Sequence, residues 1–132
     1  MNKILFIDDE KALIDMYHYI FEKNGYKFIT TFDIQEALKM TELEKPDIIL
    51  LDIIIPKSGN AVAEQGYDYL KKVKSNSKTK DIPVIVFSNL DTPQDRKRYK
   101  EMGAFAFIFK RDCSPKEVLD FINQILGQLN KK

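Results

Sequence analysis

The sequence has no tryptophan, one cysteine, one histidine, five glycines and five prolines in 132 residues. With Cys113 as the only thiol, no intramolecular disulfide forms, which fits a reducing, cytoplasmic setting. His18 has no second ligand nearby in sequence and is expected on the surface, neither a metal ligand nor a phosphohistidine. No apolar run is long enough to span a bilayer. The start, Met1-Asn2-Lys3 before Ile4-Leu5-Phe6-Ile7, is no signal peptide, because the apolar run is short and acids follow at once. Charge of one sign is not in excess: the formal net charge is +1, unlike the basic footprint of a nucleic-acid binder. There is no G-x-x-x-x-G-K-[ST] motif, which excludes a P-loop GTPase. Tandem repeats and low-complexity segments are absent too.

What remains is 44% apolar and 31% charged, at a length suited to one domain. Apolar runs alternate with amphipathic segments five times. Ile4 to Ile7 is the first strand. Leu13, Met16, Tyr17 and Ile20 then recur at helical spacing, and Asn24-Gly25 ends that helix. Phe28 to Thr31 is the second strand, and Asp33 with Glu36 forms a capping box for a helix through about Leu43. Ile48 to Leu51, apolar throughout, is a strand buried on both faces. Lys57 to Gln65 is a loop, and a helix follows from about Tyr67 to Lys74. Lys78 to Asp81 is a polar linker, and Pro83 opens a strand from Val84 to Phe87. Thr92-Pro93-Gln94-Asp95 starts a helix that stops at Gly103. The fifth strand is Ala104 to Phe109. Ser114-Pro115-Lys116-Glu117 starts the last helix, with Val118, Ile122, Ile125, Leu126 and Leu129 on one face. This alternation predicts a flavodoxin-like, doubly wound α/β fold with five parallel strands in the order 2-1-3-4-5 and five helices.

In such a sheet, ligands bind beyond the carboxyl ends of the strands. The first strand ends in Asp8-Asp9-Glu10, the third in Asp52, the fourth in Ser88 and the fifth in Lys110. One rim therefore gathers carboxylates, a hydroxyl and an ammonium. Clustered carboxylates repel unless a cation sits among them. A hard, oxygen-bound Mg²⁺ suits a site with one or two direct carboxylates and a phosphate. A carboxylate can also attack phosphorus to give an acyl phosphate, and phosphoryl transfer needs mainly positioning and charge neutralisation.

These segments resemble a response-regulator receiver domain. Ile4-Leu5-Phe6-Ile7-Asp8-Asp9-Glu10 is similar to that family's first strand and acidic pair. Leu50-Leu51-Asp52-Ile53-Ile54-Ile55-Pro56 resembles its phosphoacceptor strand. Val84-Ile85-Val86-Phe87-Ser88 matches the strand carrying its Ser/Thr, and Gly103-Ala104 with Phe107-Ile108-Phe109-Lys110 the strand carrying its lysine. The likeness covers nearly the whole chain. It implies that Asp52 accepts a phosphoryl group, and that Asp9, Asp52 and the backbone carbonyl of Ile54 ligate Mg²⁺. By the same resemblance, Asp8 acts on the metal through a water and contacts Lys110. Ser88 and Lys110 hold phosphoryl oxygens, and Phe107 moves with Ser88. The face formed by the fourth helix, fifth strand and fifth helix would then meet a downstream protein. The donor would be a histidine kinase or a histidine phosphotransfer protein. A stand-alone bacterial receiver over 1–132 is expected, with no output domain, no direct nucleic-acid contact and no membrane insertion, either monomeric or dimerising on phosphorylation.

Three departures from the family pattern stand out. The glycine that usually follows the strand-three proline corresponds to Gly66, so the Lys57–Gln65 loop holds an insertion of about six residues, a cheap change in loop length. It either gates the site, contacts a partner, or is a tolerated surface insertion. Arg111 replaces the usual proline after the lysine; a trans Lys110–Arg111 bond is expected, since a non-proline cis bond costs several kcal/mol, and this puts the reach of Lys110 in question. Ile54 and Leu90 occupy the positions flanking the path of the hydrolytic water, where neither can orient it, so slow autodephosphorylation is expected.

Taken singly, each motif has a plainer explanation. Asp8-Asp9 could be a helix cap, Asp52 could cap a turn, and Lys110 could be solvated. Phe107 could simply be one of three alternating phenylalanines of a half-buried strand. Solvated helix faces account for Lys71, Lys72, Lys74, Lys78 and Lys80, and for Arg96, Lys97, Arg98 and Lys100. Two other functions compete with a phosphorylated switch. One is a receiver-fold docking module that takes no phosphate. The other is a Mg²⁺-dependent aspartate-nucleophile phosphatase of the haloacid-dehalogenase type, which would need its nucleophile on the first strand and a second Asp two residues later.

Overall fold

A computed structural model describes residues 2–52, 62–89 and 93–129, with backbone alone for 62–65. The apolar runs form β1 (Lys3–Ile7), β2 (Lys27–Thr31), β3 (Ile48–Leu51), β4 (Val84–Ser88) and β5 (Ala106–Phe109). They make one sheet in the order β2-β1-β3-β4-β5, parallel at every pairing, as the alternation predicts. The connections are α1 (Lys11–Lys23), α2 (Ile34–Glu44), α3 (Val62–Ser75) and α4 (Pro93–Glu101), with α5 (Pro115–Leu129) closing the fold.

Successive strand residues face opposite sides, and the sheet accordingly separates two cores. Ile4, Phe6, Ile48, Leu50, Ile85 and Phe87 pack against Tyr17 and Phe21 of α1 and Val118, Ile122 and Ile125 of α5. Leu5, Ile7, Ile49, Leu51, Val84 and Val86 pack against Ala37 of α2, Leu70 and Val73 of α3, and Tyr99 of α4. Each fully buried side chain of this kind contributes about 1.5–3 kcal/mol before entropy is counted.

Several element ends differ from the sequence expectation. α3 begins at Val62, so residues 62–65, expected in the loop, are helical. Ala63, Glu64 and Gln65 favour helix, and Gly66, which reads as a boundary, is instead a buried interior residue of α3. The rest of the expected insertion, through residue 61, lies outside the described residues. β5 starts at Ala106 rather than Ala104. The Gly103 backbone has φ +104°, which glycine adopts freely, and the Ala104 amide is spent on Tyr99 O as α4 ends. On α1, Phe21 takes the deep position, while Met16, expected on the apolar face, is largely exposed.

Caps follow the sequence more closely. At α5 the capping box is complete: the Glu117 amide donates to Ser114 Oγ (3.2 Å), and the Ser114 amide donates to Glu117 Oε1 (2.9 Å). At α2 it is half-formed. Asp33 Oδ1 accepts from the Gln35 and Glu36 amides, but the Asp33 amide donates to Thr31 Oγ1 instead of Glu36. Thr92, the expected cap of α4, lies outside the described residues. No helix among the described residues is long and apolar enough to cross a membrane.

Candidate functional site

Sheet register assembles the site. Ile7 pairs with Leu51, the last residues of β1 and β3, so the residues that follow them, Asp8 and Asp52, emerge side by side. The Asp8 amide donates to Thr31 O and the Asp52 amide to Ile7 O, which carries the ladder one step past the strands and fixes both backbones. At the same edge of the sheet, Ser88 pairs with Phe109, and Lys110 comes next.

The three carboxylates Asp8, Asp9 and Asp52 each offer an oxygen, all within 4.8 Å of one another. Asp8 and Asp52 are buried, and Asp9 is partly exposed. Lys110 Nζ donates to Asp8 Oδ2 at 2.6 Å and to Asp52 Oδ2 at 2.8 Å. The Lys110 side chain is only 9% exposed. Burial alone would push its pKa down, but the charges and hydrogen bonds of Asp52 and Asp8 outweigh that and raise it above the ordinary lysine value. The ammonium therefore stays charged at neutral pH.

The question over Lys110's reach is answered here. There is no cis peptide among the described residues, so the Lys110–Arg111 bond is trans, as expected, and Lys110 still spans both carboxylates. Lys110 to Asp112 form a single 3₁₀ turn. A residue before proline is pushed out of the helical region; Arg111 removes that restriction on Lys110.

The helix-cap explanation of the acidic pair fails. Glu10 is the N-cap of α1 and makes no side-chain cap bond, while Asp8 Oδ1 accepts from the Glu10 amide at 3.0 Å. Both Asp8 oxygens are thus engaged within the protein. The donor set suits a hard divalent cation: three carboxylates face one ammonium, and this leaves negative charge that a divalent ion would neutralise.

Ser88 is fully buried at the end of β4. Phe107 is half-buried on the side of the sheet that carries α3 and α4, and the Arg96 guanidinium lies over its ring, 4.9 Å from the centroid. Ile54 and Leu90 lie outside the described residues. Phe87 was not singled out in the sequence, yet Lys110 Nζ sits 5.4 Å from its ring centroid. Strand alternation held the signal, because Phe87 shares a core with Leu50, two residues before Asp52. The solvated-face account holds for most of the basic residues, which are exposed, and needs correction at Lys74. Lys74 Nζ donates to Lys80 O (3.0 Å) and Ile82 O (2.7 Å), with its pKa lowered by burial, and Arg98 stacks 3.5 Å over the Tyr67 ring.

Comparison with known proteins gives this arrangement a family. The model of the response regulator receiver domain matches residues 4–123. The chain belongs to that family. It is 34% identical over 125 residues to the alkaline phosphatase synthesis transcriptional regulatory protein PhoP of Bacillus subtilis, covering 95% of this chain and 48% of PhoP. It is 30% identical over 129 residues to the phosphate regulon transcriptional regulatory protein PhoB of Escherichia coli, covering 98% of this chain and 53% of PhoB. The chain thus spans about half the length of these relatives. A response regulator receiver domain protein (CheY-like) from Methanospirillum hungatei JF-1 has the same fold, with a TM-score of 0.85 at 24% identity over 99% of this chain and 98% of that one. As a receiver domain the chain is a two-component signalling module, and phosphorylation on aspartate is the function its family carries.

Proposed function

We propose that Asp52 is the phosphoacceptor of this receiver domain. Its Oδ forms an O–P bond as the N–P bond of a donor phosphohistidine breaks, and the donor imidazole keeps the electron pair. The donor is a histidine kinase or a histidine phosphotransfer protein, and acetyl phosphate substitutes for it in vitro. Asp9, Asp52 and the Ile54 carbonyl would hold Mg²⁺, with Asp8 acting through a water. The ion, when bound, would supply positive charge against the phosphoryl oxygens. Lys110 and Ser88 take the remaining phosphoryl oxygens, so negative charge arriving on Asp52 meets an ammonium and a hydroxyl rather than bare carboxylates. The chain acts on its own aspartate and turns over no external substrate.

The added charge favours a state in which Ser88 and Phe107 turn inward. The surface of α4, β5 and α5 then changes, and a downstream protein binds the two states differently. The contact of Lys110 with both Asp8 and Asp52 is the observation that carries this reading, because it joins the ends of three strands around one reactive carboxylate.

Incubation with acetyl phosphate, with and without Mg²⁺, followed by intact-mass spectrometry, tests it. One phosphoryl group should be gained, only with Mg²⁺, and none by Asp52→Asn. No gain in the wild-type protein, even with a histidine kinase as donor, overturns the reading in favour of a phosphate-independent docking module.

A further inference from the structure

The basic helix α4 is not merely laid against the fold; it is tied to α3 through one side chain. Tyr67 of α3 is 2% exposed, and its hydroxyl donates to Asp95 Oδ1 at 2.6 Å. Its ring stacks on Tyr99 with centroids 4.1 Å apart and planes 28° from parallel. The Arg98 guanidinium sits 3.5 Å from the same ring's centroid. Three residues of α4 thus converge on one residue of α3. Burial first, and then the Asp95 carboxylate, push the Tyr67 phenol up to about 12, so it remains a donor across neutral pH.

The position of this contact matters as much as its strength. Asp95 lies in the first turn of α4, seven residues beyond Ser88. Its neighbour Arg96 covers Phe107. The same turn of helix is therefore fastened to α3 on one side and to the aromatic of β5 on the other. An inward turn of Phe107 takes its ring away from Arg96 and so removes one of the two holds on this turn of helix. A hydrogen bond to a charged acceptor is among the stronger single links a protein makes, and here it keeps the turn that carries Arg96 fixed to α3.

Resting on the proposed roles of Asp52 and Ser88, we propose that Tyr67 is a positioning residue that clamps the first turn of α4 to α3 and holds the resting state against phosphorylation. A structural role alone would make Tyr67 a core aromatic whose ring matters and whose hydroxyl does not. Y67F separates the two, because it keeps the ring that stacks on Tyr99 and lies under the Arg98 guanidinium and deletes only the hydroxyl with its hydrogen bonds, the one to Asp95 foremost.

Two readouts decide the matter. The first is the rate of phosphoryl uptake from acetyl phosphate with Mg²⁺, followed by intact mass. The second is hydrogen–deuterium exchange of the α4 amides in the unphosphorylated protein. In Y67F the uptake rate should rise, by up to about tenfold, and α4 should exchange faster. D95A, which removes the acceptor, should move both in the same direction and add little on top of Y67F, since the two residues share one bond. If either readout is unmoved in Y67F, or uptake slows, the assignment is overturned. If the wild-type protein takes up no phosphoryl group at all, the reading of Asp52 fails, and this assignment fails with it. Uptake by the wild type without acceleration in Y67F overturns the clamp alone.

Discussion

Lys110 Nζ lies 2.8 Å from Asp52 Oδ2, so the proposed phosphoacceptor and its proposed phosphoryl-binding cation are already in contact. The same ammonium holds Asp8 at 2.6 Å. Lys110 thus sits on two of the carboxylates proposed to serve Mg²⁺. Lys110→Met should remove the ammonium that Asp8 and Asp52 share and destabilise the metal-free protein by about 3–5 kcal/mol, the usual cost of breaking a buried pair. Mg²⁺ affinity should rise, because the metal no longer competes with an ammonium, and added Mg²⁺ should recover much of the lost stability. Urea denaturation in EDTA and in Mg²⁺, with calorimetric Mg²⁺ titration, measures both. Weaker Mg²⁺ binding than in the wild type would contradict this account.

Slow loss of the phosphoryl group is expected from the apolar residues two beyond Asp52 and two beyond Ser88. Ile54 and Leu90 offer no hydrogen bond to an attacking water. Ile54→Asn with Leu90→Glu should shorten the aspartyl-phosphate half-life by about tenfold or more, the low end of what a positioned polar group supplies. The decay of the phosphorylated mass after donor removal gives the half-life directly. A wild-type half-life of seconds, unaltered in the double variant, would sink the idea.

Between α2 and α3, the Thr41 and Tyr69 hydroxyls lie 2.6 Å apart in a fully buried site. Thr41 also donates to Ala37 O at 2.7 Å. Thr41→Val keeps the shape but strands the Tyr69 hydroxyl, at a cost of about 1–3 kcal/mol. Adding Tyr69→Phe should restore part of that loss, because no buried hydroxyl is then left unpaired. Denaturation midpoints of the three variants form the cycle, and a double variant weaker than the sum of the singles would speak against the pairing.

Acid should loosen α5 at its start. The Ser114 amide, and then its hydroxyl, hold the Glu117 carboxyl below its ordinary value of 4.5. A carboxyl with a lowered folded-state pKa contributes stability that is fully present above about pH 4.5. That contribution is lost as the pH falls through the lower folded value. Glu117→Gln should therefore show a shallower fall in urea midpoint between pH 5 and 3, an interval set by the Glu reference value of about 4.3. A curve parallel to the wild type would remove Glu117 from the acid response.

The order of strands and the four strand-end residues Asp8, Asp52, Ser88 and Lys110 were legible in the sequence, because a parallel sheet turns sequence order into a rim. The apolar run Ile48–Leu51 and the Ser114–Glu117 cap each had one structural meaning, and the structure has it. The start of α3 was not legible. Gly66 carries the composition of a boundary, and only tertiary packing makes it an interior helix residue. The shortened β5 has a similar cause: Phe105 fits the strand alternation, but Ala104 is bound to the end of α4. The contact of Tyr67 with Asp95 and Arg98 escaped notice for another reason. The two partners lie 28 and 31 positions from Tyr67 in the chain, and no local pattern reports a contact between two helices that a strand separates.

The division of the core by the sheet has a consequence for how this chain can vary. Alternate residues of each strand feed two clusters, one beneath α1 and α5 and one beneath α2, α3 and α4. The first is an unbroken chain of touching rings: Phe28 on Phe6, Phe6 on Tyr17 and Phe87, Tyr17 on Phe21, and Phe21 on Tyr26. Substitutions on opposite sides share no partners, so their energies should add. The chain is therefore insulated against its own drift: one side can be repacked while the other keeps the strands in step.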